Sequence, residues 1–414
     1  MKVRSSRGGG DVGLLDAIAR GLAPDGGLYM PPTLPAPLEL EASGLRDVAF
    51  ELLSPLFADE PAGFELRAVI DDAFTFDAPT RWWKPDTGLL ELFHGPTAAF
   101  KDFGARFLAA CLSRLPRQSL TTILVATSGD TGSAVASAFH RREGFRVVIL
   151  YPDGRVSPRQ AHQLGAFGDN VRAFRVAGTF DDCQRMVKEA FALPELRERH
   201  ALTSANSISL GRLLPQMAYY AHASLESVRA GKGKPSFVVP TGNLGNAFAC
   251  LLAREYGAPI GKVRLATNAN RVLPELLATG QYQPRKSVAT IANAMDVGAP
   301  SNVERLLQRF PHVADVVSAD WVDDDTIRDT IARAKPLQLC PHTACGVEVL
   351  RRLRSRGEDG TWIIAATAHP AKFDSIVEPL IGPVEVPPAL AALLARPSSA
   401  EPLEPSVHAL ARAL

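Results

Sequence analysis

Runs of apolar and β-branched residues that empty into loops of Gly, Ser, Thr and Asn, each followed by a helix-forming stretch, recur along this chain. The clearest lie at 121–126 (TTILVA), 147–152 (VVILYP), 236–240 (SFVVP), 263–266 (VRLA) and 361–366 (TWIIAA), with a further strand near 171–176. Such continuous apolar runs suit strands covered on both faces. Strands alternating with helices predict βαβ units and parallel sheets. The intervening helices are expected over 104–115, 133–140, 158–164, 181–190, 210–222, 247–256 and 347–354, and 1–88 reads as a preliminary unit with helices at 48–57 and 64–74.

At 414 residues the chain is long enough for a large core and two or three domains. A formal net charge of +1, with no long basic or acidic run, argues against electrostatic capture of nucleic acid or an anionic membrane. No apolar run reaches spanning length, so no membrane helix is expected. The first ten residues are basic and Gly-rich without an apolar segment, unlike a secretory signal. The five cysteines, Cys111, Cys183, Cys250, Cys340 and Cys345, are scattered without a C-x-x-C pair. That pattern speaks against a disulfide framework or a zinc site, no metal is expected, and a reducing cytoplasm is the default.

Three stretches carry chemistry. His94-Gly95-Pro96-Thr97-Ala98-Ala99-Phe100-Lys101-Asp102-Phe103-Gly104 sets a lysine between phenylalanines just past a strand at 88–93. Apolar surroundings favour the neutral amine, which a Schiff-base lysine needs. Read in isolation, Phe-Lys-Asp is also an ordinary surface pair near a helix start. The loop Thr127-Ser128-Gly129-Asp130-Thr131-Gly132 offers amides and hydroxyls to an anion, or is a plain strand-to-helix turn capped by Asp130. Thr241-Gly242-Asn243-Leu244-Gly245-Asn246 is the clearest phosphate cradle: its glycines let successive N–H groups converge at a helix N-terminus. It lacks a Walker lysine, and the 127–132 loop is neither G-x-G-x-x-G nor a P-loop, so dinucleotide and ATP readings lack their fingerprints there. A candidate Schiff-base lysine, a holding loop for phosphate and polar loops after parallel strands together point to pyridoxal phosphate.

The segments HGPTAAFKDFGARF, ATSGDTGSAVASAF, SANSISLGRLLPQ, PTGNLGNAFA, NAMDVGAPSN and TAHPAKF, in this order, resemble the threonine synthases, and SSRG and GLAPDGGLYMP resemble that family's opening. The resemblance runs from about residue 4 to 380. It implies an α/β fold of the fold-type II pyridoxal-phosphate enzymes, like the tryptophan synthase β subunit: two parallel-sheet domains with helices on both faces, plus an α-rich N-terminal extension. The expected division is an extension at 1–88, a large cofactor-binding domain at 89–104 and 205–390, a small inserted domain at 105–204 and a tail at 391–414.

The resemblance also implies roles. Lys101 would form the Schiff base and move protons, Gly242, Asn243, Leu244, Gly245 and Asn246 would bind the cofactor phosphate, and Thr367 would meet the pyridine nitrogen. Ser128, Asp130 and Thr131 would meet the amino-acid end of the substrate or the ring. Asn206, Ser207 and Arg212 would hold the substrate phosphate; His342, beside Pro and Thr, is read on local grounds alone, as a structural residue or as one that lines the site with the substrate-binding residues. The implied reaction converts O-phospho-L-homoserine and water to L-threonine and phosphate, in a monomer or homodimer. The alternatives are a phospho-lyase that releases 2-oxobutyrate or takes a related phosphorylated or phosphonate amino acid, and a non-catalytic scaffold. Ser209 stands where the family usually has Asn, and Cys340 where it has an acidic residue. Either departure tunes substrate choice if it touches the substrate phosphate or orients His342.

Overall fold

The computed structural model describes residues 1–61, 63–117 and 119–414. A six-stranded sheet runs in the order Val317–Trp321, Val263–Thr267, Ser236–Pro240, Trp362–Ala366, Thr87–Glu91 and Thr80–Lys84. Its pairs are parallel except the last, which is antiparallel. A five-stranded, fully parallel sheet runs Glu401–Leu403, Val171–Val176, Phe145–Pro152, Thr121–Ala126 and Leu202–Ser204.

Alternation along the strands explains why both sheets carry helices on both faces. Phe237 and Val239 belong to the main core, whereas Val238 between them packs into a second core with Trp362, Ile364 and Ala366. In the smaller sheet Ile123 and Val125 face the main core and Leu124 and Ala126 face a third cluster. Successive strand side chains point to opposite faces, so an uninterrupted apolar run needs cover on both.

The N-terminal unit is α-rich, as expected, with a small antiparallel sheet of Lys2–Ser5, Val12–Gly13 and Tyr29–Met30 added. Helix Leu45–Phe57 buries Leu45, Val48, Ala49, Leu52, Leu53 and Leu56, an i, i+3, i+4, i+7 stripe that seals it to the main core.

Several details differ from the sequence expectation. The helix after the lysine stretch is Lys101–Ser113, not 104–115, so Lys101 is its first residue. The expected helix 210–222 is two, Leu210–Leu213 and Gln216–Arg229, because Pro215 cannot donate the next backbone bond. Helix Pro341–Ser355 starts six residues before the expected 347, with the Cys340 thiol capping the Thr343 N–H and Pro at the first helical position. This puts His342 in a helical first turn. Residues 391–414, expected as a tail with helical pieces, also supply a strand: Glu401–Leu403 extends the smaller sheet, and Leu410 from the helix Val407–Ala413 joins the third cluster beside Cys183 and Met186.

Candidate active site

The carboxyl ends of the parallel strands of both sheets face one cavity of about 100 Å³. Ligands of open α/β sheets bind at such ends, where loops leave the strands and helix N-termini converge. Ser236–Pro240 delivers Thr241 to Asn246, Trp362–Ala366 delivers Thr367, Thr121–Ala126 delivers Thr127 to Thr131, and Leu202–Ser204 delivers Asn206 and Ser207. Every candidate residue read from the sequence lines this cavity: Lys101, Ser128, Asp130, Thr131, Asn206, Ser207, Arg212, Gly242, Asn243, Leu244, Gly245, Asn246, His342 and Thr367. A wider cleft of about 1060 Å³, lined by Lys188 of helix Phe180–Ala192 and Arg20 among others, shares Ala126, Gln184, Asn206 and Asn243 with it.

Lys101 is held by what precedes it. Asp102 is not its surface partner: it is buried and accepts from the Thr97 amide at 2.9 Å and the Thr97 hydroxyl at 2.7 Å, tying the Gly-Pro turn to the helix start. Burial pushes the Asp102 carboxyl up from its ordinary value, against those two hydrogen bonds. Ala98, between them, adopts a left-handed φ of 55°, a conformation that costs a non-glycine residue about 1 kcal/mol or more and that the surrounding bonds must impose. The Lys101 side chain is 14% exposed, with Nζ 3.6 Å from Asp130 Oδ2. Burial pushes its pKa down, Asp130 opposes this, and Lys372 and Arg212 push the same way as burial.

Asp130 does not cap its helix; Gly129 occupies that position without a side-chain bond. The buried carboxylate instead accepts from Gln160 Nε2 at 2.8 Å and pairs with Lys372 Nζ at 2.9 Å. Burial alone would raise its pKa, but Lys372 and Lys101 outweigh burial and hold it below the usual carboxylate range.

The loop before helix Gly245–Glu255 fits an anion. Leu244 has φ 64°, which turns the chain so that the following amides open the helix. A Cβ on Gly242 would lie 2.7 Å from Met295 Cα, so only glycine permits this approach. Asn246 Oδ1 accepts from the hydroxyls of Tyr219 and Tyr220, which leaves its Nδ2 buried without a partner. Arg212 donates to the Ala205 carbonyl at 2.7 Å, and its buried Nε is also unpartnered. Burial pushes its pKa down to about 10. Unsatisfied donors on residues that line one cavity match a phosphorylated ligand.

His342 Nε2 accepts from the Ala294 amide at 3.1 Å, and burial pushes the ring's pKa down to about 4. Cys340 Sγ lies 3.9 Å from His342 Nδ1. Of the two departures, Cys340 therefore touches His342, whereas Ser209 is buried behind the cavity lining with an unpartnered hydroxyl.

Sequence reasoning missed three supporting residues. Lys372 is fully buried against Asp130; its signal was a second lysine beside Phe in TAHPAKF. Gln160 joins Asp130 to the helix Pro158–Gly165. Arg305, buried, donates to the carbonyls of Tyr29 and Ile208 and to Asn302 Oδ1, and Asn302 donates to the Asn243 carbonyl at 2.8 Å. That relay ties the N-terminal unit to the phosphate loop.

Residues 89–367 match the family described as pyridoxal-phosphate dependent enzyme, and fold and site together define a fold-type II lyase of that class with pyridoxal phosphate as its cofactor. Residues 2–74 match the family described as threonine synthase N terminus, and 343–413 that described as threonine synthase, C-terminal. The chain is 40% identical to the threonine synthase of Serratia marcescens over 92% of its length and 91% of the relative's. It is 39% identical to that of Escherichia coli (strain K12) over 90% of its length and 89% of the relative's. The crystal structure of the Escherichia coli threonine synthase superposes with a TM-score of 0.91 at 36% identity, covering 100% of this chain and 99% of that one. For the PLP-bound threonine synthase of Brucella melitensis the TM-score is 0.88 at 33% identity, covering 100% and 98%. The chain belongs to the threonine synthase family, and its function is threonine synthesis.

Proposed function

We propose that the enzyme converts O-phospho-L-homoserine and water to L-threonine and inorganic phosphate, with the residue roles expected from the sequence. The observation that carries this reading is one cavity lined at once by a lysine amine of lowered basicity, a glycine-rich anion loop, and a second group of phosphate-binding types, Asn206, Ser207 and Arg212. Two anion subsites suit a phosphorylated cofactor and a phosphorylated substrate.

Bound pyridoxal phosphate supplies an electron sink beside the substrate amine. The amides of Gly242 to Asn246 would hold its phosphate, with the Asn246 side-chain amide as a further donor, and the Thr367 hydroxyl would meet the ring nitrogen. Lys101 Nζ would hold the cofactor in the resting enzyme, and as a free amine it would take the proton from substrate Cα and move a proton at Cβ. The Arg212 fork and the Asn206 and Ser207 side chains hold the substrate phosphate as it leaves Cγ. Ser128 and Thr131 orient the amino-acid end, together with the Asp130 loop. Neutral His342 lines the far wall, with Cys340 behind it.

We further infer the domain division given above, with 105–204 inserted in the larger domain, and a cytoplasmic enzyme. A monomer or homodimer suffices, since each chain carries a full set of site residues. No helix among the described residues is long and apolar enough to cross a membrane.

Product analysis tests the reaction. Protein and cofactor are incubated with O-phospho-L-homoserine, and threonine, 2-oxobutyrate and phosphate are quantified together. Threonine equal to phosphate is expected. Phosphate matched by 2-oxobutyrate would establish the phospho-lyase instead, and no phosphate from cofactor-loaded protein would point to a different substrate.

A further inference from the structure

Lys372 has no role in the chemistry above, yet it is fully enclosed beside the site. Its side chain is 0% exposed, with Nζ 2.9 Å from Asp130 Oδ1 and donating to the Thr97 carbonyl at 2.7 Å. The neighbouring backbone is clamped: the Ser157 hydroxyl donates to the Lys372 carbonyl at 2.9 Å, and Arg159 donates to the Ala371 carbonyl at 2.6 Å. The Gln160 amide, on the same helix, holds the Asp130 oxygen that Lys372 holds. A lysine is buried this completely only with a partner, and here the partner is shared.

Asp130 thus stands between two lysines, one on each oxygen. Lys372 makes the shorter contact and is fully enclosed, while Lys101 sits at 3.6 Å with its side chain 14% exposed to the cavity. One carboxylate compensates one ammonium. We infer that Lys372 is a positioning residue that serves as the closer counter-ion of Asp130, so that Asp130 compensates the charge of Lys101 only in part and the free amine of Lys101 is favoured.

The charged and titratable groups facing Lys101 are Asp130, Lys372, Arg212 and His342, and only Asp130 favours the ammonium form. Lys372 also faces Asp102 and His369. Without the Lys372 charge, Asp130 has Lys101 as its remaining lysine, and the same ion pair that now anchors the loop would hold the reactive amine protonated.

The inference rests on Lys101 being the imine-forming amine, and the test separates the two. Imine formation between apoprotein and pyridoxal 5′-phosphate is followed by absorbance across pH, then trapped with borohydride and mapped to a lysine. In the unaltered protein the rate should inflect below the ordinary lysine value. K372M should move the inflection alkaline by about one unit, slowing the reaction at neutral pH ~10-fold. K372R, which keeps the cation, should restore the original profile. D130N, with Lys372 retained, should move it towards acid. If K372M does not fold, D130N decides: an unchanged or alkaline inflection there overturns the inference. An unshifted K372M, or a K372R shifted as far as K372M, overturns it as well, with Lys101 still the trapped residue. Trapping on another lysine would instead remove the assignment of Lys101, and this inference with it.

Discussion

The Phe100 N–H donates to the Thr367 carbonyl at 2.9 Å, so the residue before the lysine is bonded directly to the first residue after the central strand Trp362–Ala366. The His369 N–H returns a bond to the Ala98 carbonyl at 3.0 Å, and Ala99 bridges to Ala368. These two loops lie far apart in the chain and behave as one short ribbon. The distance between Lys101 and Thr367 is therefore set by backbone hydrogen bonds, which also impose the left-handed Ala98.

Thr367→Val keeps the β-branched shape and the ribbon while deleting the hydroxyl. Stability should hold to within about 1 kcal/mol, because the hydroxyl makes no protein hydrogen bond among the described residues. Catalysis should fall ~10-fold or more through a weaker hold on the cofactor ring. Thermal unfolding of the apoprotein and steady-state kinetics at saturating cofactor check the two halves separately.

Lys101→Ala should remove the borohydride-sensitive visible band and lower turnover by at least ~10³-fold, as loss of a combined nucleophile and proton carrier does. Normal activity in this variant would sink the assignment of the whole site.

Gly242→Ala should cost about 1–3 kcal/mol, since the added methyl meets Met295 backbone at 2.7 Å and neither segment is free to withdraw. The loop should shift, and the dissociation constant for pyridoxal 5′-phosphate, measured by fluorescence titration, should rise ~10-fold.

Asn246→Ala strips the Tyr220 hydroxyl of its acceptor, while Tyr219 keeps Gln216 at 3.2 Å. One newly unpaired buried hydroxyl costs about 1–3 kcal/mol, read as a lower denaturant midpoint. Cofactor affinity should fall in the same variant, whereas Tyr220→Phe should lower neither by as much.

His342 gives the acid limb of stability. Burial lowers the ring to about 4 in the folded protein, whereas an unfolded histidine titrates near 6.5. A group whose folded value is depressed stabilises above its unfolded value, and that stabilisation is lost as pH falls through 6.5 towards 4. The difference amounts to about 3 kcal/mol at most. His342→Asn should flatten this part of the curve of unfolding free energy against pH. A limb as steep as in the unaltered protein would assign it elsewhere, with His369, also lowered to about 4 by burial, the next group to replace.

Strand runs such as 121–126, 171–176 and 236–240 could be read to the residue, because an apolar run flanked by Gly and Asn has few competing conformations. The lining residues could be read too, since each sits in a loop directly after such a strand or at the start of a helix. Helix boundaries were less legible: Pro215 split one helix and the Cys340 thiol started another early, both short-range effects that apolar periodicity does not register.

The sequence by itself determined the repeated strand–loop–helix order, the phosphate loop and the lysine in its apolar frame. Those are local properties, written in propensity, glycine spacing and side-chain chemistry. Only the tertiary structure decided which charges meet. It gave Asp130 two lysines, set Arg305 against the Tyr29 and Ile208 carbonyls, and withdrew Ser209 from the cavity. The cost of burying a charge depends on partners brought in from distant parts of the chain, and no short stretch of sequence records them.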